Sequence, residues 1–243
     1  MRIAEMRNSG ARIGTLAFGW APALAEANGI QFLETPAGTA WKVARSPEGT
    51  PVVSELHPFV AEGDALTRHE GALLEIEVAV TLRRDLPVRT GEAYTRAEIL
   101  DAVGEFRVGA ELVRSVFLEN GKVSFPLFVA DRMGNDGYLL GPLFDRDHLD
   151  DIQRGRLKLE LEGVPLFDAD AKHGNGDCLG WLVDFANLDA RLVDPLAVGA
   201  CVTTGSLCGA VAIPGPGHVE VGFGNGFAFG FDLVEPTGNR VGR

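Results

Sequence analysis

From Leu73 to Thr81 the chain reads LLEIEVAVT, an alternation of period two. In an extended strand this places Leu74, Ile76, Val78 and Val80 on one face and Leu73, Glu75, Glu77 and Ala79 on the other. Further short runs rich in Val, Ile, Leu and Phe, bounded by glycine or proline, predict strands at 108–117, 123–129, 157–163, 198–204, 218–223 and 226–234. Helical spacing is rarer. It appears in YTRAEILDAVGEF, where Thr95 and Glu98 have the spacing of a capping box ahead of an Ile99, Leu100, Val103 and Phe106 stripe. It appears again in GDCLGWLVDFANLDARL, which can open at Asp177 and bury Leu179, Leu182, Val183 and Ala186. The pattern predicts an α+β chain that is mostly β. There is no internal repeat, linker or low-complexity tract.

The first strand carries an anomaly. Glu75 and Glu77 point the same way, and two carboxylates ~7 Å apart in a low dielectric do not both stay ionised unaided. A solvated face would explain them, but Leu73 and Ala79 share that face without the further charges expected there. A cation is the alternative. In the next strand candidate, VGAELVRSVF, Glu111 shares a face with Gly109, Val113 and Ser115, again an acid among small or apolar neighbours. Three carboxylates on neighbouring strands make a hard, all-oxygen site suited to Mg²⁺ or Mn²⁺, with water and substrate completing an octahedron. Zinc is disfavoured because His and Cys are not clustered.

Composition narrows the partners. The 243 residues are 46% hydrophobic and 23% charged, enough for a real core. A net charge of −12 excludes nucleic acid and anionic membrane as general partners, since no basic face is available to neutralise phosphates. Cys178, Cys201 and Cys208, an odd number without CxxC spacing, point to a reducing cytoplasm. The opening MRIAEMRNSGARIGTLAFGWAPALAEANG loosely imitates a secretory leader, but Glu5 lies in its charged region and Gly and Pro interrupt its apolar run. It reads as a structural N-terminus. No apolar run reaches the ~18 residues of a membrane span.

The order of a Glu-x-Glu strand, RRDLP, YTRAEILDAV, a Glu on the following strand, ADRMGNDGYLLG, and LGWLVDFANLDARLVDPLAVGACVTTGS resembles the fumarylacetoacetate hydrolase superfamily. Within it, the sequence resembles the 2-keto-4-pentenoate hydratase branch. The resemblance runs from about residue 40 to the C-terminus and is most specific in EIEVAVTLRRDLP and VTTGS; Arg132 stands where the family usually has Asn, and Ala200 where it has Asp. It implies a mixed, twisted β-roll with a few outer helices, a segment of residues 1–40 packed on a catalytic domain of residues 41–243, and a homodimer or larger assembly. It also implies that Glu75, Glu77 and Glu111 hold a divalent cation.

Lys42, in TAWKVARS, fits by spacing either a surface lysine in an amphipathic strand or a desolvated one whose pKa burial lowers toward the working range. The resemblance implies the second, acting on substrate. The VTTGSLCG turn offers two hydroxyls and glycine-freed N–H groups, so Thr204, Gly205 and Ser206 are candidates to grip a substrate carboxylate. The bland reading of the same residues is an ordinary glycine turn.

The implied activity is a lyase that adds water to a 2-hydroxy-2,4-dienoate or related 2-keto acid, in catabolism of aromatic-derived compounds. Carbon–carbon hydrolysis of an acylpyruvate is the runner-up, although the His–Glu pair and Thr-Gly-Thr-Pro turn of such relatives are not found. Decarboxylation of a 2-keto diacid suits the same metal site, and a non-catalytic ligand-binding protein is the alternative from another class. His57, His69, His148, His173 and His218 lack ligand spacing and read as surface or packing residues, FDRDHLDD as a solvated acidic turn, and VGFGNGFAFGFD as a β-hairpin.

Overall fold

The computed structural model describes residues 3–34, 40–191 and 195–236. Its strands are β1 Ala40–Arg45, β2 Pro51–Glu55, β3 Phe59–Val60, β4 Leu66–Thr67, β5 Leu73–Leu82, β6 Val103–Val113, β7 Asn135–Phe144, β8 Arg156–Leu161, β9 Val164–Asp170, β10 Cys201–Ser206, β11 Val211–Ala212, β12 Gly217–Phe223 and β13 Ala228–Val234. One sheet runs β2-β1-β10-β5-β6-β7-β3, with β11 also on β5; the other runs β4-β13-β12-β8-β9. Parallel pairs (β1 with β10, β3 with β7, β4 with β13) sit among antiparallel ones, so both sheets are mixed. The helices are α1 Ile3–Ser9, α2 Thr15–Phe18, α3 Leu24–Glu34, α4 Arg96–Ala102, α5 Phe125–Ala130, α6 Leu149–Arg154 and α7 Gly180–Ala186. The chain is α+β and mostly β, as its pattern predicts.

The alternation along β5 becomes the division of the molecule. Leu74, Ile76, Val78 and Val80 are fully buried and meet Leu112, Ala110, Val108 and Phe106 of β6 across the ladder. This face packs with Leu157, Leu159, Val219, Val221 and Phe231 of the second sheet and with Ile99 and Leu182 of the outer helices to form the main core. The opposite face of β5 is thereby kept for the glutamates. Burial at roughly 25 cal/mol per Å² of apolar surface is what holds this division in place.

Three local expectations are corrected. The stretch 123–129 is not a strand: Pro126 sits in the first turn of α5, where its missing N–H is harmless, and Leu127, Val129 and Ala130 turn into a second core. The capping box at Thr95 and Glu98 forms, but α4 ends at Ala102. Val103 and Phe106, assigned by spacing to its stripe, instead pair with Leu82 and Val80, so β6 starts five residues before its predicted start. β-branched Val103 and Gly104 are poor helix residues, and the sheet wins. The second helix opens at Gly180 and not at Asp177; Leu179, Leu182 and Ala186 are buried as expected but Val183 is only half-buried, and Leu192 lies outside the described residues. The β12–β13 hairpin forms as read; in FDRDHLDD, Phe144 is buried in the main core, Asp145 to His148 are exposed, and α6 begins at Leu149.

The N-terminal helices attach through charge as well as apolar contact. Ile3, Met6 and Ala27 share the second core with Phe117, Leu127 and Met133. Arg7 of α1 reaches the fully buried Asp131 after α5, donating to its side chain and to its carbonyl oxygen at 2.7 Å. Asp131 also accepts from Ser115 Oγ at 2.7 Å and the Val116 amide at 3.1 Å. Residues 1, 2 and 35–39 of the N-terminal segment lie outside the described residues. Among the described residues no helix is long and apolar enough to cross a membrane.

Removing one partner of a buried pair strands the other charge, at a cost on the order of 3–5 kcal/mol. Asp131→Ala is therefore expected to lower the unfolding free energy by about that amount in urea titration. A loss below ~1 kcal/mol would show that the Arg7 anchor is not needed.

Candidate active site

The site is a row across the first sheet. Lys42 of β1 is level with Thr203 of β10; Ser206 of β10 is level with Glu77 of β5; Glu75 of β5 lies directly opposite Glu111 of β6; and Glu111 is level with Tyr138 of β7. A register shift between Thr203 and Ser206 lets β10 bend around this row. Directly opposed residues on a ladder share a face, so five strands deliver their polar side chains to one side.

The three carboxylates converge: one oxygen from each of Glu75, Glu77 and Glu111 lies within 4.8 Å of the others. Glu77 and Glu111 are buried and Glu75 is half-buried at the mouth. Lys42 is buried, and its Nζ donates to Glu111 Oε1 at 2.7 Å. Asn135 Nδ2 donates to the same oxygen at 3.0 Å. Glu77 Oε2 and Glu111 Oε2 are buried without a hydrogen bond.

The electrostatics follow from that arrangement. Burial, then repulsion from Glu111, pushes Glu75 up to about 7 against the pull of Lys42. The same causes push Glu77 well above the carboxylate range. Burial pulls Lys42 down, but Glu111, Glu77 and Glu75 together outweigh it, and its pKa is raised. This corrects the expectation that burial lowers it: in the cation-free chain three acids act on one lysine.

A divalent cation fits these residues. The donor set is all oxygen, two of the carboxylate oxygens have no other partner, and three carboxylates face the buried Lys42.

Beside the carboxylates opens a cleft of about 330 Å³ lined by Lys42, Glu75, Glu77, Gly205, Ser206 and Trp181, with an apolar wall of Val113, Phe128 and Met133. Gly205 and Ser206 thus reach the cleft; Thr204 does not, being fully buried with its hydroxyl 3.5 Å from Val78 O. The Ser206 hydroxyl is committed to its own turn, donating to Gly209 O at 3.1 Å and accepting from the Cys208 amide at 3.3 Å. What this turn offers a ligand is therefore set by its backbone.

Sequence reasoning missed Asn135, Lys172 and Trp181, the last two of which also line the cleft. Asn135 lies within the ADRMGNDG stretch, so that motif held a usable signal. Lys172 lies outside every quoted motif and Trp181 inside LGWLVDFANLDARL, which was read for its helical pattern alone; only the fold brings the two side chains to the cleft.

In solved structures the chain is similar to 4-oxalocrotonate decarboxylase from Pseudomonas putida G7, complexed with magnesium and adipate: TM-score 0.76, 18% identity, 96% of this chain and 94% of that one. The fold is that of the fumarylacetoacetate hydrolase family. The same fold appears, with less overlap, in 2-hydroxyhepta-2,4-diene-1,7-dioate isomerase from Mycobacterium marinum (TM-score 0.56, 15% identity, 82% of this chain and 75% of that one). It appears also in fumarylpyruvate hydrolase from Pseudomonas aeruginosa in complex with Mn²⁺ and pyruvate (TM-score 0.53, 15% identity, 81% and 89%). No family model matches the sequence, and no curated protein does. What the chain shares with these proteins is the fold, at 18% identity or less.

Between pH 4.5 and about 7 the folded, cation-free chain keeps a proton on Glu75 that the unfolded chain has released. More protons are bound in the folded state, so stability falls as pH rises through this window, and Glu77 extends the fall to higher pH. In EDTA the urea midpoint is expected to drop from pH 5 to pH 7.5, with a shallower drop in Glu75→Gln and little in saturating Mg²⁺. A pH-independent midpoint in EDTA would mean the carboxylates do not repel as placed.

Proposed function

We propose that the chain is a divalent-cation-dependent lyase acting on a small 2-oxo acid through its enolate, with Mg²⁺ or Mn²⁺ held by Glu75, Glu77 and Glu111. The observation that carries this reading is the buried convergence of three carboxylates with Lys42 fixed on one of them. The magnesium and Mn²⁺ complexes of proteins with this fold agree with it. When bound, the cation supplies the positive charge that stabilises a developing enolate oxygen and the adjacent carboxylate.

The chain's own groups do the remaining work. Lys42 Nζ, held at 2.7 Å from Glu111, is the proton carrier at the buried end of the cleft. The backbone of Gly205 and Ser206 orients the carboxylate. Val113, Phe128, Met133 and Trp181 exclude water from one side.

Of the lyase chemistries, loss of CO₂ from a 2-oxo diacid is the reading best supported. It needs an electron sink and a proton donor but no water-activating base, and among the described residues no histidine lines the cleft. In a 2-oxo-3-hexenedioate the C5–C6 bond breaks, its electron pair passes along C5, C4 and C3 to the 2-oxo oxygen, and a dienolate remains. The whole-chain likeness to a decarboxylase supports the same choice. Hydration of a 2-hydroxy-2,4-dienoate is the second reading, favoured by the motif order that resembles the hydratase branch. Homo-oligomeric assembly and a cytoplasmic setting belong to the same proposal.

Metal-loaded protein is expected to release CO₂ from 2-oxo-3-hexenedioate faster than it consumes 2-hydroxypenta-2,4-dienoate or cleaves an acylpyruvate, with EDTA abolishing turnover. Dienoate loss as the fastest reaction would return the assignment to a hydratase, and acylpyruvate cleavage to a hydrolase. Inactivity on all three despite a bound cation would favour a ligand-binding protein. Lys42→Met is expected to lower kcat by roughly two orders of magnitude or more. Retained turnover in that variant would return Lys42 to a structural role.

A further inference from the structure

We infer that His173 is a positioning residue, a neutral imidazole strut that fixes the Thr204–Gly205–Ser206 turn at the wall of the cleft. Its ring is buried, with Nε2 at 2.7 Å from the carbonyl oxygen of Thr204. On the other side the backbone N–H of Asn175 donates to Nδ1 at 3.2 Å. A carbonyl only accepts and an amide N–H only donates, so the two contacts together define one tautomer, with the proton on Nε2. The imidazolium would donate from both nitrogens and lose Asn175. Burial acts in the same direction, lowering the His173 pKa.

Trp181 of α7 completes the brace. Its ring centroid lies 4.9 Å from that of His173. At position 205 a Cβ would come within 2.4 Å of Trp181 Cζ3 and 3.1 Å of His173 Nε2, and φ is +113°. The glycine there is required by close approach and by backbone angle together. His173 and Trp181 therefore clamp the peptides at 204 and 205 from above, while the ladder pairs Ser206 with Glu77 below. Because the Ser206 hydroxyl is spent within its own turn, the clamp governs what backbone the cleft presents to a carboxylate.

This inference rests on the proposed carboxylate-gripping role of the turn. The test uses full-length protein loaded with Mn²⁺ and oxalate as the probe, read by calorimetry. His173→Phe keeps a ring against Trp181 and loses the donor; His173→Gln keeps a donor that can reach Thr204. The Phe variant is expected to bind oxalate about 10-fold more weakly, the scale of one lost hydrogen bond. Its Mn²⁺ affinity should stay within about 2-fold, and Gln should recover most of the loss. An unchanged oxalate affinity in His173→Phe would overturn the inference while leaving the cleft reading intact. Equal losses in Phe and Gln, or parallel loss of Mn²⁺, would show a general structural role and also overturn it. Wild-type protein that binds Mn²⁺ but not oxalate would overturn the cleft reading and this inference with it. Independently of any variant's folding, ¹⁵N correlation spectra of wild type at pH 7 are expected to show His173 as the neutral Nε2–H tautomer. An Nδ1–H tautomer or an imidazolium would contradict it.

Discussion

Three carboxylates share one lysine, and the rest of the architecture answers to that imbalance. Burying an unpaired carboxylate costs several kcal/mol, and such groups persist only where a rigid surround gives them no retreat. Here the surround is a ladder: Glu75 is held opposite Glu111 by β5 and β6, whose other face is locked into the main core through Leu74, Ile76, Val78, Leu112 and Ala110. Glu77 and Glu111 cannot swing to solvent without turning these residues out of the core. Lys42 and Asn135 both donate to the same oxygen of Glu111, so the other oxygen is left without a partner.

The second core extends this logic to the N-terminal helices. Met133, whose carbonyl oxygen lies 3.5 Å from Lys42 Nζ, is buried with Met6, Leu127 and Val129. Arg132, Met133 and Gly134 all have left-handed φ, a costly run for the first two. Asp131, just before them, is tied to Arg7 of α1. The loop that reaches Lys42 is thus anchored by a helix more than a hundred residues earlier in the chain. This is a physical reason for the N-terminal segment to pack where it does.

How much of this was legible depends on the range of the interaction. The face alternation of β5 is local, and Leu74 to Val80 occupy the buried side that period two assigns them. Glu111 was legible because an acid among small residues is anomalous in any strand. Its position opposite Glu75 was not, because register across α4 depends on where helix gives way to strand, and spacing alone carried that helix through Val103 and Phe106. Phe125 to Val129 misled for a related reason: an apolar run with Pro126 fits either a strand or a first helical turn, and packing on α3 decides. Thr204 was chosen for its hydroxyl, yet the bulge after Thr203 turns it toward Val78. His173 lies outside every quoted motif, and Trp181 was read only as part of a helical pattern, since their role comes from contact with a turn more than twenty residues further along the chain.

The pKa of Lys42 shows where a one-residue argument stops. Burial alone pulls it down, and a sequence reading has only burial to work with. In the folded chain the field of Glu111, Glu77 and Glu75 reverses the sign. On the proposed reading that same field is what would recruit a cation, so the two are linked: whatever negative potential a bound cation neutralised would be withdrawn from the lysine's stabilisation. Cation occupancy and the proton on Lys42 Nζ then oppose one another through the same carboxylates, without either needing to touch the other. On that reading, the anomaly of two glutamates one residue apart on a strand bears both on the affinity for a cation and on the charge of the lysine beside it.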